Sequence, residues 1–138
     1  MQLLKNNLFF IFIGSIFLIF LYGITVLPPL DRDESRFASA SKNMLETEDF
    51  IDIELEGVKR YKKPIGIYWV QVASNMIFGE PPFNEIWTYR LPSLLSIFTS
   101  IILVFFTTKR LFNEDVAKLS CLFLVSSLLI ISEIHQAK

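Results

Sequence analysis

The sequence predicts an all-α integral membrane protein, with three transmembrane helices and two interfacial helices in the loop after the first. Three observations carry this expectation. Hydrophobic residues fill 52% of the 138 positions and include fourteen Phe, too apolar a mixture for a water-soluble domain. Residues 8–27 form a run without a single charge. Immediately beyond it, the stretch from Leu30 to Ala38 packs three carboxylates and two guanidinium groups beside the membrane.

The first span, residues 8–27, is about 30 Å long at 1.5 Å per residue and crosses a bilayer unaided. Lys5 gives it the basic start that a secretory leader would share. The apolar run is too long for a leader, however, and no small-residue cleavage pattern precedes Pro28-Pro29, so an uncleaved anchor is expected. The second span, 91–108, lies between Arg90 and Lys109. The third, 116–135, has a short apolar centre and reaches full length if Lys118 snorkels its ammonium to the interface. The lone cysteine, Cys121, lies inside it and has no internal partner, so redox compartment is unreadable.

Basic residues near the span ends set the orientation. Lys5 precedes the first span, and Lys109, Arg110 and Lys118 crowd the loop between the second and third, so these ends are expected in the cytoplasm. Residues 28–90 are then external, with eight Lys or Arg against eleven Asp or Glu. The overall charge of -1 leaves no large basic excess, which argues against nucleic acid as a partner and leaves membrane lipids as the surroundings.

Within the external loop, Asp31 or Asp33 caps a first helix, and Glu34 stands three residues after Asp31 as in a capping box. Phe37, Ala40, Met44 and Leu45 recur there at helical spacing, with Arg36, Lys42, Asn43 and Glu46 on other faces. An acidic, extended stretch follows at 49–56, with a turn at Gly57. Residues 65–79 read as a second helix, with Gln71, Ser74 and Asn75 on one side. Tyr68, Trp69, Val72 and Met76 lie on the other, with their aromatic rings expected at headgroup depth. Pro81-Pro82 ends this helix, and Arg90-Leu91-Pro92-Ser93 opens the second span.

Asp33-Glu34-Ser35-Arg36-Phe37-Ala38, Met44-Leu45-Glu46, Asp49-Phe50, Tyr61-Lys62-Lys63-Pro64 running into Tyr68-Trp69, Phe78-Gly79 and Arg90-Leu91-Pro92-Ser93 follow one another in order. Together they resemble the amino-terminal part of the polyprenyl-phosphate-sugar-dependent membrane glycosyltransferases of the GT-C superfamily. The resemblance is nearest to the 4-amino-4-deoxy-L-arabinose lipid A transferases, which are related to protein O-mannosyltransferases. It covers nearly the whole chain and implies one domain, 1–138, that is the front of a larger multi-span fold. The implied activity moves a sugar, with inversion, from a polyprenyl-phosphate carrier to a lipid A, glycan or protein acceptor. It would take place at the external face of a bacterial inner membrane. The family's catalytic aspartate matches Asp33, with Glu34 beside it in the motif. Its carrier-phosphate residues match Arg36 and Lys63.

Elementary chemistry fits these roles. Attack by a hydroxyl on an anomeric carbon needs a base, which a carboxylate such as Asp33 supplies; for an acceptor that is already anionic, positioning suffices. Negative charge grows on the departing lipid phosphate, so fixed cations beside it lower the barrier. Arg36 can fork two phosphate oxygens and Lys63 offers a point charge. No essential metal or other cofactor is expected, since such cations can take a metal's place. Some family members carry an acidic residue before the motif lysine that helps hold a metal, and here that position is Lys62.

Simpler roles exist for the same residues. Asp33 and Glu34 can serve as cap and capping box, and Arg36 as a surface ion-pair partner. Lys59, Arg60 and Lys62 are expected to meet anionic headgroups, and Tyr61, Tyr68 and Trp69 to anchor at the interface, with a contact to the carrier as the alternative for Tyr61. Glu133 and His135, at the external end of the third span, fall short of the three or four ligands that zinc requires. The family's chains are several times longer, so a piece of 138 residues is expected to be inactive alone. The alternative is a non-catalytic three-span protein that binds a lipid-phosphate carrier or acts as an accessory subunit.

Overall fold

The computed structural model describes residues 2–29 and 31–137, with side chains from Asn7 onward. The Lys5 side chain, Leu30 and Lys138 fall outside that description. The elements in order are α1 (Gln2–Val26), α2 (Arg32–Thr47), β1 (Glu54–Leu55), β2 (Val58–Lys59), α3 (Gly66–Phe78), α4 (Ile86–Leu111), α5 (Glu114–Val125) and α6 (Leu128–Ile134).

Two helices are long and apolar enough to cross a membrane, Asn7–Val26 and Ile86–Leu111. The first is apolar on every side and leaves Leu8, Ile11, Leu18, Ile19 and Tyr22 exposed, as a lipid-facing helix does. The second begins at Ile86, earlier than the expected 91, because Thr88–Arg90 are buried among other elements rather than left at an interface. The expected third span, 116–135, is not one straight helix. It consists of α5 and α6, bent by 61°, so the pair makes a third crossing only if it acts as one broken span. The break falls at Ser126-Ser127, where the Ser126 hydroxyl donates to the Phe123 carbonyl and competes with the helical ladder. Lys118, expected to snorkel, instead pairs with Glu114 at 2.8 Å, as does Lys109 from the end of α4.

The helices α1, α4 and α5 pack through Ile101, Phe105, Ala117, Cys121 and Val125, with Phe9, Ile13 and Phe20 against them. A second cluster, Ile24, Leu91, Leu94 and Ile134, joins α1, α4 and α6. Gly23 allows that approach, since a Cβ there would lie 2.5 Å from His135 Nε2.

In the loop between the first two spans, Asp31 caps α2 by accepting from the Asp33 N–H, and Glu48 closes the helix at φ 58. The stretch expected to be merely extended forms a small antiparallel hairpin, Glu54 opposite Lys59 and Leu55 opposite Val58. Its turn residues Glu56 (φ 54) and Gly57 (φ 76) are both left-handed, as the tight hairpin turn requires. Phe37, Ala40, Met44, Ile53, Tyr68 and Val72 form the core under this hairpin.

The orientation of α3 differs from expectation. Its polar residues Gln71, Ser74 and Asn75 are buried, while Val70, Met76, Ile77 and Phe78 are exposed. Tyr68 and Val72, expected on an outward face, belong to the core. The reason is that the polar side has partners inside. Ser41 donates to Gln71 Oε1 at 2.6 Å, and Thr88 Oγ1 lies 2.6 Å from Asn75 Oδ1. Pro92 has no N–H to offer the Thr88 carbonyl one turn back, and the Ser74 hydroxyl donates to that carbonyl instead, at 2.6 Å.

Candidate functional site

The charged residues after the first span separate into a buried knot and an open cleft. Arg90, in the first part of α4, and Glu34, in the first turn of α2, both have fully buried side chains. Arg90 Nε donates to Glu34 Oε1 at 2.6 Å and Nη2 to Oε2 at 3.1 Å. Its other N–H groups go to three carbonyls at the end of α1: Ile24 (3.1 Å), Leu27 (2.6 Å) and Pro28 (2.9 Å). All five guanidinium donors thus have acceptors, and carbonyls that a helix end leaves orphaned are satisfied. Glu34 Oε1 also accepts from the Ala137 N–H at 3.1 Å. One ion pair therefore fastens the end of α1, the start of α2, the start of α4 and the segment after α6.

This arrangement corrects the expectation for Glu34. Its carboxylate is fully buried with both oxygens already bonded, because Arg90 needs an anion once it is buried. Glu34 is a structural anchor and Asp33, the next residue round the helix, is the carboxylate that opens outward, with its side chain 54% exposed.

Asp33 lines a cleft of about 520 Å³ with Phe37, Lys63, Pro64, Ile67 and Glu133. The first turn of α2 supplies the aspartate, where the helix dipole favours a negative charge. The segment between β2 and α3 supplies Lys63, and α6 supplies Glu133. Two of the expected residues, Asp33 and Lys63, are therefore brought to one place. Arg36 is not on the cleft wall; its Nη1 sits 3.1 Å from Asp33 Oδ1, and its side chain is 44% exposed. A second guanidinium, which the sequence reading assigned to headgroups, stands on the same oxygen. Arg60 Nη2 lies 3.9 Å from Asp33 Oδ1 with its side chain only 19% exposed. Burial pushes the pKa of the Tyr68 hydroxyl up, against the opposing pull of the Arg60 guanidinium. Its place follows from the hairpin, where the Arg60 N–H donates to the Ile53 carbonyl at 2.7 Å.

Tyr61, expected as a carrier contact, is not among the residues that line the cleft. Its hydroxyl donates to Asp52 Oδ1 at 2.6 Å, and Lys59 pairs with the other oxygen of the same carboxylate. The hairpin turns Tyr61 toward Asp52 while the chain continues to Lys63 on the far side. His135 points elsewhere than Glu133, its Nδ1 2.8 Å from the Ile131 carbonyl and its ring edge-on to Phe20. Among the described residues no group of three or more His, Cys, Asp or Glu gathers as a metal site would require.

Sequence comparison shows what the chain is similar to. Residues 62–137, more than half of the chain, match the family described as dolichyl-phosphate-mannose-protein mannosyltransferase. An undecaprenyl phosphate-alpha-4-amino-4-deoxy-L-arabinose arabinosyl transferase of Proteus mirabilis is 30% identical over 127 residues, covering 87% of this chain and 22% of that protein. The corresponding transferase of Yersinia enterocolitica is 30% identical over 139 residues, 96% of this chain and 23% of its own. An uncharacterized protein of Aquifex aeolicus is 35% identical over 119 residues, 86% and 27%. The chain thus spans about a quarter of the length of these relatives. No solved structure matches it. With its match running from the lysine of the cleft wall through the fourth, fifth and sixth helices, the chain belongs to the dolichyl-phosphate-mannose-protein mannosyltransferase family of membrane glycosyltransferases.

Proposed function

We propose that this chain carries the donor-phosphate side of the active site of a transferase. That enzyme takes a sugar from a polyprenyl-phosphate carrier to a lipid, glycan or protein acceptor at the external face of the membrane. The observation that supports this reading best is the cleft itself. A carboxylate on α2 and an ammonium before α3 line one cavity whose remaining walls include Phe37, Pro64 and Ile67.

The chemistry then divides between the two charges. Asp33 takes the proton of an acceptor hydroxyl as it attacks the anomeric carbon, and the bond from that carbon to the carrier phosphate breaks with inversion. Lys63 meets the phosphate oxygen on which charge grows, and so binds the transition state more tightly than the ground state. Arg36 and Arg60 hold Asp33 from behind through Oδ1. Arg36, the more exposed of the two, is also within the solvent-accessible rim, where a phosphate can draw it away from the aspartate.

The test uses membranes of cells that express the gene from its own locus, with a radiolabelled sugar on undecaprenyl phosphate. Asp33→Asn is expected to lower turnover about 100-fold or more while donor binding persists. Lys63→Gln is expected to cost about 100-fold or more in kcat. An unchanged rate in Asp33→Asn would remove the catalytic assignment.

A further inference from the structure

We infer that Glu133 governs release of the spent carrier, lowering the affinity of the cleft for the doubly charged polyprenyl monophosphate relative to the singly charged glycosyl phosphodiester. This rests on the glycosyltransferase reading above and concerns its product.

The transfer changes the charge of the carrier. As the bond between the anomeric carbon and the phosphate oxygen breaks, its electron pair stays on that oxygen, and the acceptor proton goes to Asp33. A phosphodiester with one negative charge thus becomes a phosphomonoester with about -1.5 to -2 at neutral pH. A site that offered cations alone would hold this product more tightly than the donor it came from, and the spent carrier would block the next turnover.

The cleft sets an anion against that extra charge. Lys63 is the one cation among its described lining residues, and Glu133 faces the same cavity of about 520 Å³. Glu133 and the carrier phosphate therefore compete for a single ammonium. One phosphate charge is matched by Lys63, and the second meets the Glu133 carboxylate. Arg36, where a phosphate draws it from Asp33, serves donor and product alike. Asp33 cannot replace Glu133 in this role, since it carries the transferred proton when the product forms and has Arg36 and Arg60 on its Oδ1. Glu133 is half-buried, which limits screening by water. Its helix α6 is fixed by Ile134, packed with Ile24 and Leu94, and by the Ala137 N–H on Glu34 Oε1, so its backbone does not follow Lys63 across the cleft. Across about 10 Å at an effective dielectric of about 20, two unit charges repel enough to change a binding constant about tenfold.

The experiment measures binding of two probes, undecaprenyl phosphate and its methyl diester, to the protein expressed from its own locus and purified in detergent. At about pH 8 the monoester carries its second charge and the diester does not. The wild type is expected to bind the diester at least as tightly as the monoester. Glu133→Gln should tighten monoester binding about tenfold or more and diester binding less than about threefold, while Glu133→Asp stays with the wild type. Lys63→Gln should weaken both probes about tenfold or more. Equal gains on both esters, or an unchanged monoester affinity in Glu133→Gln, overturn the inference and leave the glycosyltransferase reading standing. So does a wild type that prefers the monoester about tenfold or more, a result that needs no variant to fold. Binding of neither probe by the wild type, or of both by Lys63→Gln as tightly as by the wild type, overturns both.

Discussion

At the scale of single residues, adjacent carboxylates have opposite fates. Asp33 opens to the cleft and Glu34 is sealed against Arg90, one helical step apart. A buried ion pair adds little net stability over apolar packing, but breaking it strands a charge. Arg90→Met is therefore expected to destabilise the protein by about 3–5 kcal/mol, measured by thermal unfolding in detergent. The double variant Glu34→Leu with Arg90→Met removes both charges, yet the carbonyls of Ile24, Leu27 and Pro28 lose their donors. It should remain about 1–3 kcal/mol below wild type; full recovery would mean that holding the end of α1 contributes nothing. Sequence reasoning marked both residues as motif positions but missed their pairing. They are 56 positions apart, and an isolated Arg at a span end reads as an interfacial charge. Asp33 and Lys63 were singled out by the motifs they stand in, and the fold places both on one cleft wall, 30 positions apart in the chain.

At the scale of elements, the hairpin β1–β2 sets the position of Arg60 and is itself held by an exposed cluster. The Lys59 ammonium, and then the Tyr61 hydroxyl, hold the Asp52 carboxyl below its ordinary value, while Asp52 raises both Lys59 and Tyr61. A depressed carboxylate stabilises above its unfolded pKa of about 3.9 and loses that contribution as pH falls through the lower folded value. Raised Tyr and Lys groups stabilise below their unfolded values of about 10 and 10.4, and lose their contribution as pH rises beyond the folded ones. The hairpin should therefore stay formed from below pH 3.9 to above pH 10. Trp69 reports on it, since its indole donates to the Phe50 carbonyl at 2.7 Å; Trp87→Phe removes the other indole. Lys59→Gln should raise the acid midpoint of the fluorescence change more than Tyr61→Phe does, and the opposite order would contradict the pairing. The hairpin was only partly legible. Gly57 announced a turn, but two-residue strands are too short to show alternation. The sidedness of α3 was misjudged for a different reason. Its polar stripe looks like a water-facing surface until Ser41 and Thr88, on other helices, are seen to receive it.

At the scale of the whole molecule, the charges divide the protein into two ends. The cleft lies beside the start of α4, and the cluster of Lys109, Glu114 and Lys118 lies at its other end, 26 residues away. At 1.5 Å per residue α4 is about 39 Å long, more than the hydrocarbon thickness of about 30 Å, so both its ends can reach the headgroups. Lys109, Arg110 and Lys118 favour the cytoplasm for the loop between α4 and α5. On this proposed topology the cleft is expected to face outward, where the proposed lipid-linked donor would be used. A topology so derived is open to a direct test, because Cys121 is the sole cysteine and is buried, leaving a silent background. Glu56→Cys places a thiol on the exposed hairpin turn, and Phe112→Cys places one in the exposed α4–α5 loop. With a membrane-impermeant maleimide, Glu56→Cys should be labelled in cells whose outer membrane alone is permeabilised, and Phe112→Cys only after the inner membrane is opened. The reverse pattern would put the cleft in the cytoplasm and require a donor presented from that side. Labelling of both thiols from outside would mean that α4 does not cross, and the cleft would then lie at the edge of a protein resting on the membrane rather than at the mouth of one built through it.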